Sequence, residues 1–387
     1  MSTVITGIGE LTTNDDELGR LHNAAVVIDE GRVAWVGAAS EAPDADERVD
    51  AEGRAVLPGW VDSHTHMVFA GDRTEEFEAR MAGEAYAAGG INVTVEATRA
   101  ASDEELLANL DRLAAEALRG GTTAFETKTG YGLTVDDEVR SARVARSRAE
   151  AVTFLGAHLV PAGADANEYL ALATGPMLDA VAPLVDAVDV FCEHGAFDEE
   201  QSRAVLRAGQ SKGLGLRVHG NQLGPGPGAR LAVEHGALSV DHVAFLDAAE
   251  IGMLADSWSG GARGTVATVL PACDLSTRMP LAPARDLVDA GAVVAIASNA
   301  NPGTSYTTSM AFCVATAVLQ MRLTIEEAVR AATLGGAIAL GRPDLGRVSV
   351  GARADLQLLD APSVTHLAYR PGVPLTSAVW QRGERVV

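Results

Sequence analysis

His64 and His66 stand one residue apart at the end of an apolar run spanning 56–66. Side chains two apart in an extended strand point to the same face, so the two imidazoles can share one metal ion. A divalent metal in such a setting lowers the pKa of a bound water and polarises a carbonyl, which is the chemistry of hydrolysis. An isolated His-x-His is weak, because chance pairs are common. Here four more histidines close comparable apolar runs: His158, His194, His219 and His242. Six of the 9 histidines thus gather at run ends, which favours a metal-centred site over scattered structural imidazoles. His22, His235 and His366 lie elsewhere and read as surface or packing residues. Arg73 offers a planar fork for a carboxylate, and Tyr131 offers a hydroxyl just after a glycine. Lys128, one of only two lysines, reads as structural or snorkelling rather than catalytic.

The elements that must position these side chains follow from the pattern between them. Eight apolar, β-branched runs end in polar residues, at 56–66, 122–130, 152–158, 188–195, 214–222, 238–243, 264–270 and 292–299. Helical patterns at 103–119, 135–150, 199–212, 283–290 and 325–339 alternate with them. The first has Ser102 as N-cap with Glu105 three residues on, and leucines at 106, 110, 113 and 118. Eight strands alternating with helices predict a parallel (β/α)₈ TIM barrel, in which functional side chains collect at the strand C-terminal ends. The two chain ends have a different texture. A hairpin is predicted from 24–28 and 33–36 around Asp29-Glu30-Gly31, and short β runs recur near the C-terminus. Neither end is long enough for a stable sheet alone, so both are expected to form one small β-sandwich domain, 1–58 plus 345–387, beside a barrel of 59–344.

Composition limits the partners. With 52 acidic and 30 basic residues the chain carries a formal charge of −22, which excludes nucleic acid and anionic membranes as partners and leaves a small-molecule substrate. Cys192, Cys273 and Cys313 make neither a disulfide framework nor a paired-cysteine zinc site. There is no signal-peptide pattern and no apolar run long enough to span a bilayer, so a soluble cytoplasmic protein is expected.

The run Val56-Leu57-Pro58-Gly59-Trp60-Val61-Asp62-Ser63-His64-Thr65-His66, the later His219, and Gly351-Ala352-Arg353-Ala354-Asp355-Leu356 resemble the metal-dependent amidohydrolase superfamily. Finer motifs closely resemble the imidazolonepropionase family within it. They are Phe69-Ala70-Gly71-Asp72-Arg73, Lys128-Thr129-Gly130-Tyr131-Gly132-Leu133, Phe154-Leu155-Gly156-Ala157-His158, Phe191-Cys192-Glu193 and Asn301-Pro302-Gly303-Thr304-Ser305. The likeness covers nearly the whole chain. It implies hydrolysis of 4-imidazolone-5-propanoate to N-formimino-L-glutamate, the third step of histidine degradation. It implies one divalent metal, zinc or iron, on His64, His66, His219 and the residue at 299, and a homodimer. It further implies that Arg73, Tyr131, His158 and Gln222 contact substrate. Asn301, Gly303 and Thr304 would then hold the product-like end, and His242 would sit beside the metal's water.

Two positions depart from the family pattern. Asn299 stands where the family has an aspartate that is both ligand and proton shuttle, and an amide side chain cannot take that proton. Gln222 stands where the family more often has glutamate; substrate hydrogen bonding is within an amide's reach, so this change is the milder one. An impaired imidazolonepropionase, another amidohydrolase such as a cyclic-imine deaminase, and an inactive homologue that only binds ligand stay open at this point.

Overall fold

Chain-start residues that alternate between apolar and polar pair as antiparallel strands. β1 (Thr3–Thr12), β2 (Arg20–Asp29) and β3 (Arg32–Ala38) form a meander, with β4 (Glu47–Asp50) and β5 (Ala55–Pro58) parallel to β1. The β2–β3 turn uses left-handed backbone at Glu30 and Gly31, φ 47° and 76°, the sign that matches strand twist in tight hairpins. The structure is a computed structural model that describes residues 1–83, 90–261 and 263–387.

The eight predicted runs then form one parallel sheet in chain order. They are β6 (Trp60–Asp62), β7 (Thr122–Lys128), β8 (Ala151–Ala157), β9 (Ala187–Cys192), β10 (Gly215–Gly220), β11 (Ser239–His242), β12 (Val266–Val269) and β13 (Val294–Ile296). Most of their residues are buried, as strands covered on both faces require. Just past the first and last strands, Asn299 N–H donates to the His64 carbonyl at 3.0 Å and His66 N–H to the Ala300 carbonyl at 2.9 Å. These bonds tie together the segments after the first and last strands at the rim where the histidines lie.

Helices fill the connections. Asp103–Arg119 begins with the predicted cap: Ser102 Oγ accepts from Glu105 N–H and Glu105 Oε2 from Ser102 N–H. Leu106, Leu110 and Leu113 are its buried stripe. One run behaves differently from its prediction. The stretch 56–66 is two strands, because Gly59 breaks it: Ala55–Pro58 joins the first sheet and only Trp60–Asp62 enters the barrel.

At the C-terminus β14 (Leu356–Leu359), β15 (Thr376–Gln381) and β16 (Glu384–Arg385) return to the first sheet. β14 pairs antiparallel with β5, Leu356 opposite Pro58 and Leu358 opposite Val56, so both chain ends share one sheet ordered β16-β15-β14-β5-β1-β2-β3. Its core includes Ile5, Ile8, Leu11, Val26, Leu356 and Trp380. By packing, the chain divides into two units. One comprises Met1–Asp62, Ala115–Ala124 and Ser309–Val387, so the helices after residue 308 fall within it; the other comprises Ser63–Ala114 and Phe125–Thr308. Among the described residues no helix is long and apolar enough to cross a membrane.

Candidate active site

Everything the sequence singled out for chemistry belongs to the unit Ser63–Ala114 and Phe125–Thr308. A cavity is lined there by His66, Arg73, Tyr131, His158, His219, Gln222, His242, Asn299, Asn301 and Thr304. His64 is wholly buried beside it, and Gly303 lies in the loop that carries Asn301 and Thr304. His194 does not join them. It is exposed, because the chain has already left β9 at Cys192, so five strand-end histidines converge rather than six. Backbone just beyond the strands is left-handed at Asn221, His242 and Asn299, φ 54°, 82° and 54°, a conformation that costs energy in side-chain-bearing residues and collects at functional sites.

Three imidazoles are aimed at one point. His64 Nδ1 lies 2.7 Å from Asp241 Oδ2 and His219 Nδ1 lies 3.0 Å from Asp189 Oδ1. A carboxylate only accepts, so each Nδ1 carries the proton and each Nε2 presents a lone pair. His64 Nε2 is 3.2 Å from His66 Nε2, which is 3.4 Å from His219 Nε2. Nitrogens bound tetrahedrally at ~2.05 Å to one zinc would stand ~3.3 Å apart, so these spacings fit a shared ion. Asn299 Oδ1 is buried with no hydrogen-bond partner in the same cavity, a neutral oxygen suited to a weak fourth contact.

Burial sets the charge states. It holds His64, His66 and His242 well below the ordinary imidazole range, helped for His64 by Lys128. It brings His158 down to about 4. All four are therefore neutral at pH 7. His158 Nδ1–H donates to the Gly130 carbonyl at 2.9 Å, leaving Nε2 as an acceptor, and its ring stacks on His66.

Arg73 is less free than its sequence reading supposed. Its Nε and Nη2 bond Glu76 Oε2 and Oε1, both at 2.8 Å, so Nη1 is the end left for a ligand. Asn301 holds its own loop: Oδ1 accepts from Gly303 N–H and Thr304 N–H at 2.8 Å each, and Nδ2 donates to the Asn299 carbonyl at 2.6 Å. A Cβ on Gly303 would collide with the Arg73 guanidinium, so the glycine is what lets Arg73 lie against this loop.

Lys128 does not snorkel; it is wholly buried among Glu126, Asp189 and Asp241. Sequence reasoning assigned no role to Asp189, Asp241, Glu126 or Arg80, whose Nη2 donates to the Gly303 carbonyl at 2.9 Å, nor to Ile91 and Phe191, which line the cavity. The signal for Asp189 was present, a carboxylate inside the apolar run Val188-Asp189-Val190.

A nearly closed parallel barrel with converging histidines at its rim defines the class. The chain belongs to the amidohydrolase family, whose profile matches residues 55–384. Within that class it belongs with the imidazolonepropionases. It is 67% identical to the imidazolonepropionase of Saccharopolyspora erythraea over 389 residues, covering 100% of this chain and 99% of the relative. It is 65% identical to that of an Arthrobacter species, covering 100% of both. Among solved structures, an adenosine deaminase from Xanthomonas campestris with bound zinc superposes with a TM-score of 0.74 at 21% identity, covering 99% of this chain and 92% of that one. An atrazine chlorohydrolase from Arthrobacter aurescens complexed with zinc gives 0.74 at 19%, covering 100% and 95%. These distant likenesses concern the fold alone.

Proposed function

We propose that this chain hydrolyses the ring amide of 4-imidazolone-5-propanoate to give N-formimino-L-glutamate. The observation that carries the reading is one cavity with converging imidazole nitrogens and the Arg73 guanidinium among its lining groups. These are the groups needed to activate a cyclic amide and to anchor a carboxylate tail. The named relatives supply the substrate.

His64, His66 and His219, with Asn299 beside them, would hold one zinc or iron ion, which when bound polarises the ring carbonyl and makes a water more acidic. Arg73 Nη1 would bind the propionate carboxylate, kept in place by Glu76 and the Gly303 loop. Tyr131, His158 Nε2 and the Gln222 amide would orient the ring, and Asn301, Gly303 and Thr304 would hold the loop against the product-like end. His242 is neutral and has a lone pair for a proton of the attacking water. It would return that proton to the ring nitrogen as the C–N bond breaks. With its basicity lowered by burial and no carboxylate at position 299, His242 is a weak substitute for the family aspartate, so turnover is slow.

Purified chain loaded with zinc and given synthetic substrate should consume it, seen as loss of its ultraviolet absorbance with N-formimino-glutamate appearing. Asn299 favours a second reading, binding without turnover. Calorimetric binding of N-formimino-glutamate with no substrate loss would select it.

A further inference from the structure

The mechanism leaves the buried ammonium of Lys128 without a task. Lys128 Nζ lies 2.8 Å from Glu126 Oε1, 3.0 Å from Asp189 Oδ2 and 3.9 Å from Asp241 Oδ2, and all four side chains are completely buried. The ammonium donates a hydrogen bond to Glu126, and Asp189 and Asp241 lie within ion-pair reach of its charge. Each carboxylate in turn reaches a different part of the histidine set. Asp189 accepts from His219 and Asp241 from His64. Glu126 Oε2 accepts from the backbone N–H of Thr65 at 3.1 Å, between His64 and His66, while Thr65 Oγ1 donates to the Glu126 carbonyl at 2.6 Å.

We propose that Lys128 is the positioning residue of the metal site: one ammonium gathers the three carboxylates that orient His64, His66 and His219. The proposal rests on the reading of those histidines as metal ligands. Three carboxylates crowded in a dry interior repel one another, and without a cation between them at least one swings away from its partner. A displaced Asp189 no longer fixes the proton of His219 on Nδ1, and the Nε2 lone pair loses its aim. Burial opposes the charge on Lys128, but Glu126, Asp189 and Asp241 overcome it and hold its pKa above the ordinary lysine value.

Charge and positioning predict opposite signs. If Lys128 acted only as a nearby positive charge, removing it would tighten the binding of a cation. If it acts by positioning, removing it weakens that binding, by about 10–100-fold for loss of an outer-shell partner. The experiment titrates zinc into metal-free wild type and K128M against a chromogenic chelator, with ¹⁵N-histidine NMR of both apoproteins. We expect zinc to bind K128M about 10–100-fold more weakly, and His219 to lose its uniform Nδ1–H tautomer. Equal or tighter zinc binding by a folded K128M overturns the proposal. Should K128M not fold, D189N carries the test with the lysine in place: unchanged zinc affinity would overturn the proposed route through Asp189. A wild-type chain that takes up no zinc overturns the metal reading itself, a distinct result.

Discussion

At the residue scale, the proposed function makes Asn299 the position that limits the rate. Its side chain sits in the cavity with an unpaired buried Oδ1, placed to touch a metal but unable to accept a proton. Restoring a carboxylate there should raise kcat by ~10²–10⁴, the usual contribution of a placed general base. N299D assayed with synthetic imidazolone propionate checks this, and no gain would mean that position 299 does not limit the rate. Gly303 makes a second, independent prediction. Its φ is not left-handed, so space alone demands the glycine. G303A should push the Arg73 guanidinium off the loop and raise KM by about 10-fold or more, the scale of a charge-assisted hydrogen bond, with kcat little changed. Steady-state kinetics separate the two parameters. At this scale the site was legible where residue type is rare and spacing is diagnostic: His64, His66, His158, His219 and His242 all reach one cavity or its floor. The supporting shell was much less so. Glu126, Asp189 and Asp241 act through partners 30 to 177 positions away or through backbone atoms, and a lone carboxylate in a strand does not announce its partner.

The elements carry those side chains because several of them lie at or just past the C-terminal end of a parallel strand: His219 near the end of β10, His242 closing β11, His158 next after β8 and Asn299 three residues past β13. The alternation of apolar runs and helices made all eight barrel strands readable, and the Ser102–Glu105 pair located a helix start. What the pattern could not convey is pairing between residues far apart in sequence. The break at Gly59 assigns 55–58 and 60–62 to different sheets, although both halves are apolar. The same applies to the helix Gly336–Leu340, whose first residue leaves no room for a methyl group: a Cβ on Gly336 would meet the Val61 carbonyl on β6. G336A should therefore destabilise by about 1–3 kcal/mol through overpacking, despite alanine's better helix propensity. Urea unfolding measures it, and a stabilised variant would show that β6 yields easily.

For the whole molecule, a formal charge of −22 opposes polyanions, and under the proposed function the anionic substrate would instead meet a local field set by Arg73 and the bound metal. Cys192, Cys273 and Cys313 are all buried, and none of them forms a disulfide among the described residues. Global stability should carry the signature of two buried groups whose pKa values move oppositely. Burial lowers His158 to about 4 and raises Asp274 to about 8. As pH falls from 6.5 to 4 the unfolded chain protonates His158 and the folded chain does not, so this histidine costs up to about 3 kcal/mol across that window. H158Q, which cannot titrate, should gain stability relative to the parent on acidification through it. Asp274 works the other way. Its carboxyl is already protonated in the folded chain below pH 8 and stays ionised in the unfolded chain down to 3.8, so its contribution is present at low pH and is lost as pH rises through that range. D274N should therefore lose ground to the parent as pH falls from 8. Urea titrations of the parent and both variants from pH 4 to 8 decide the matter. Difference curves of opposite slope would locate the proton linkage in these two sites. Parallel curves would mean that the folded chain admits enough water to leave both groups at their ordinary values.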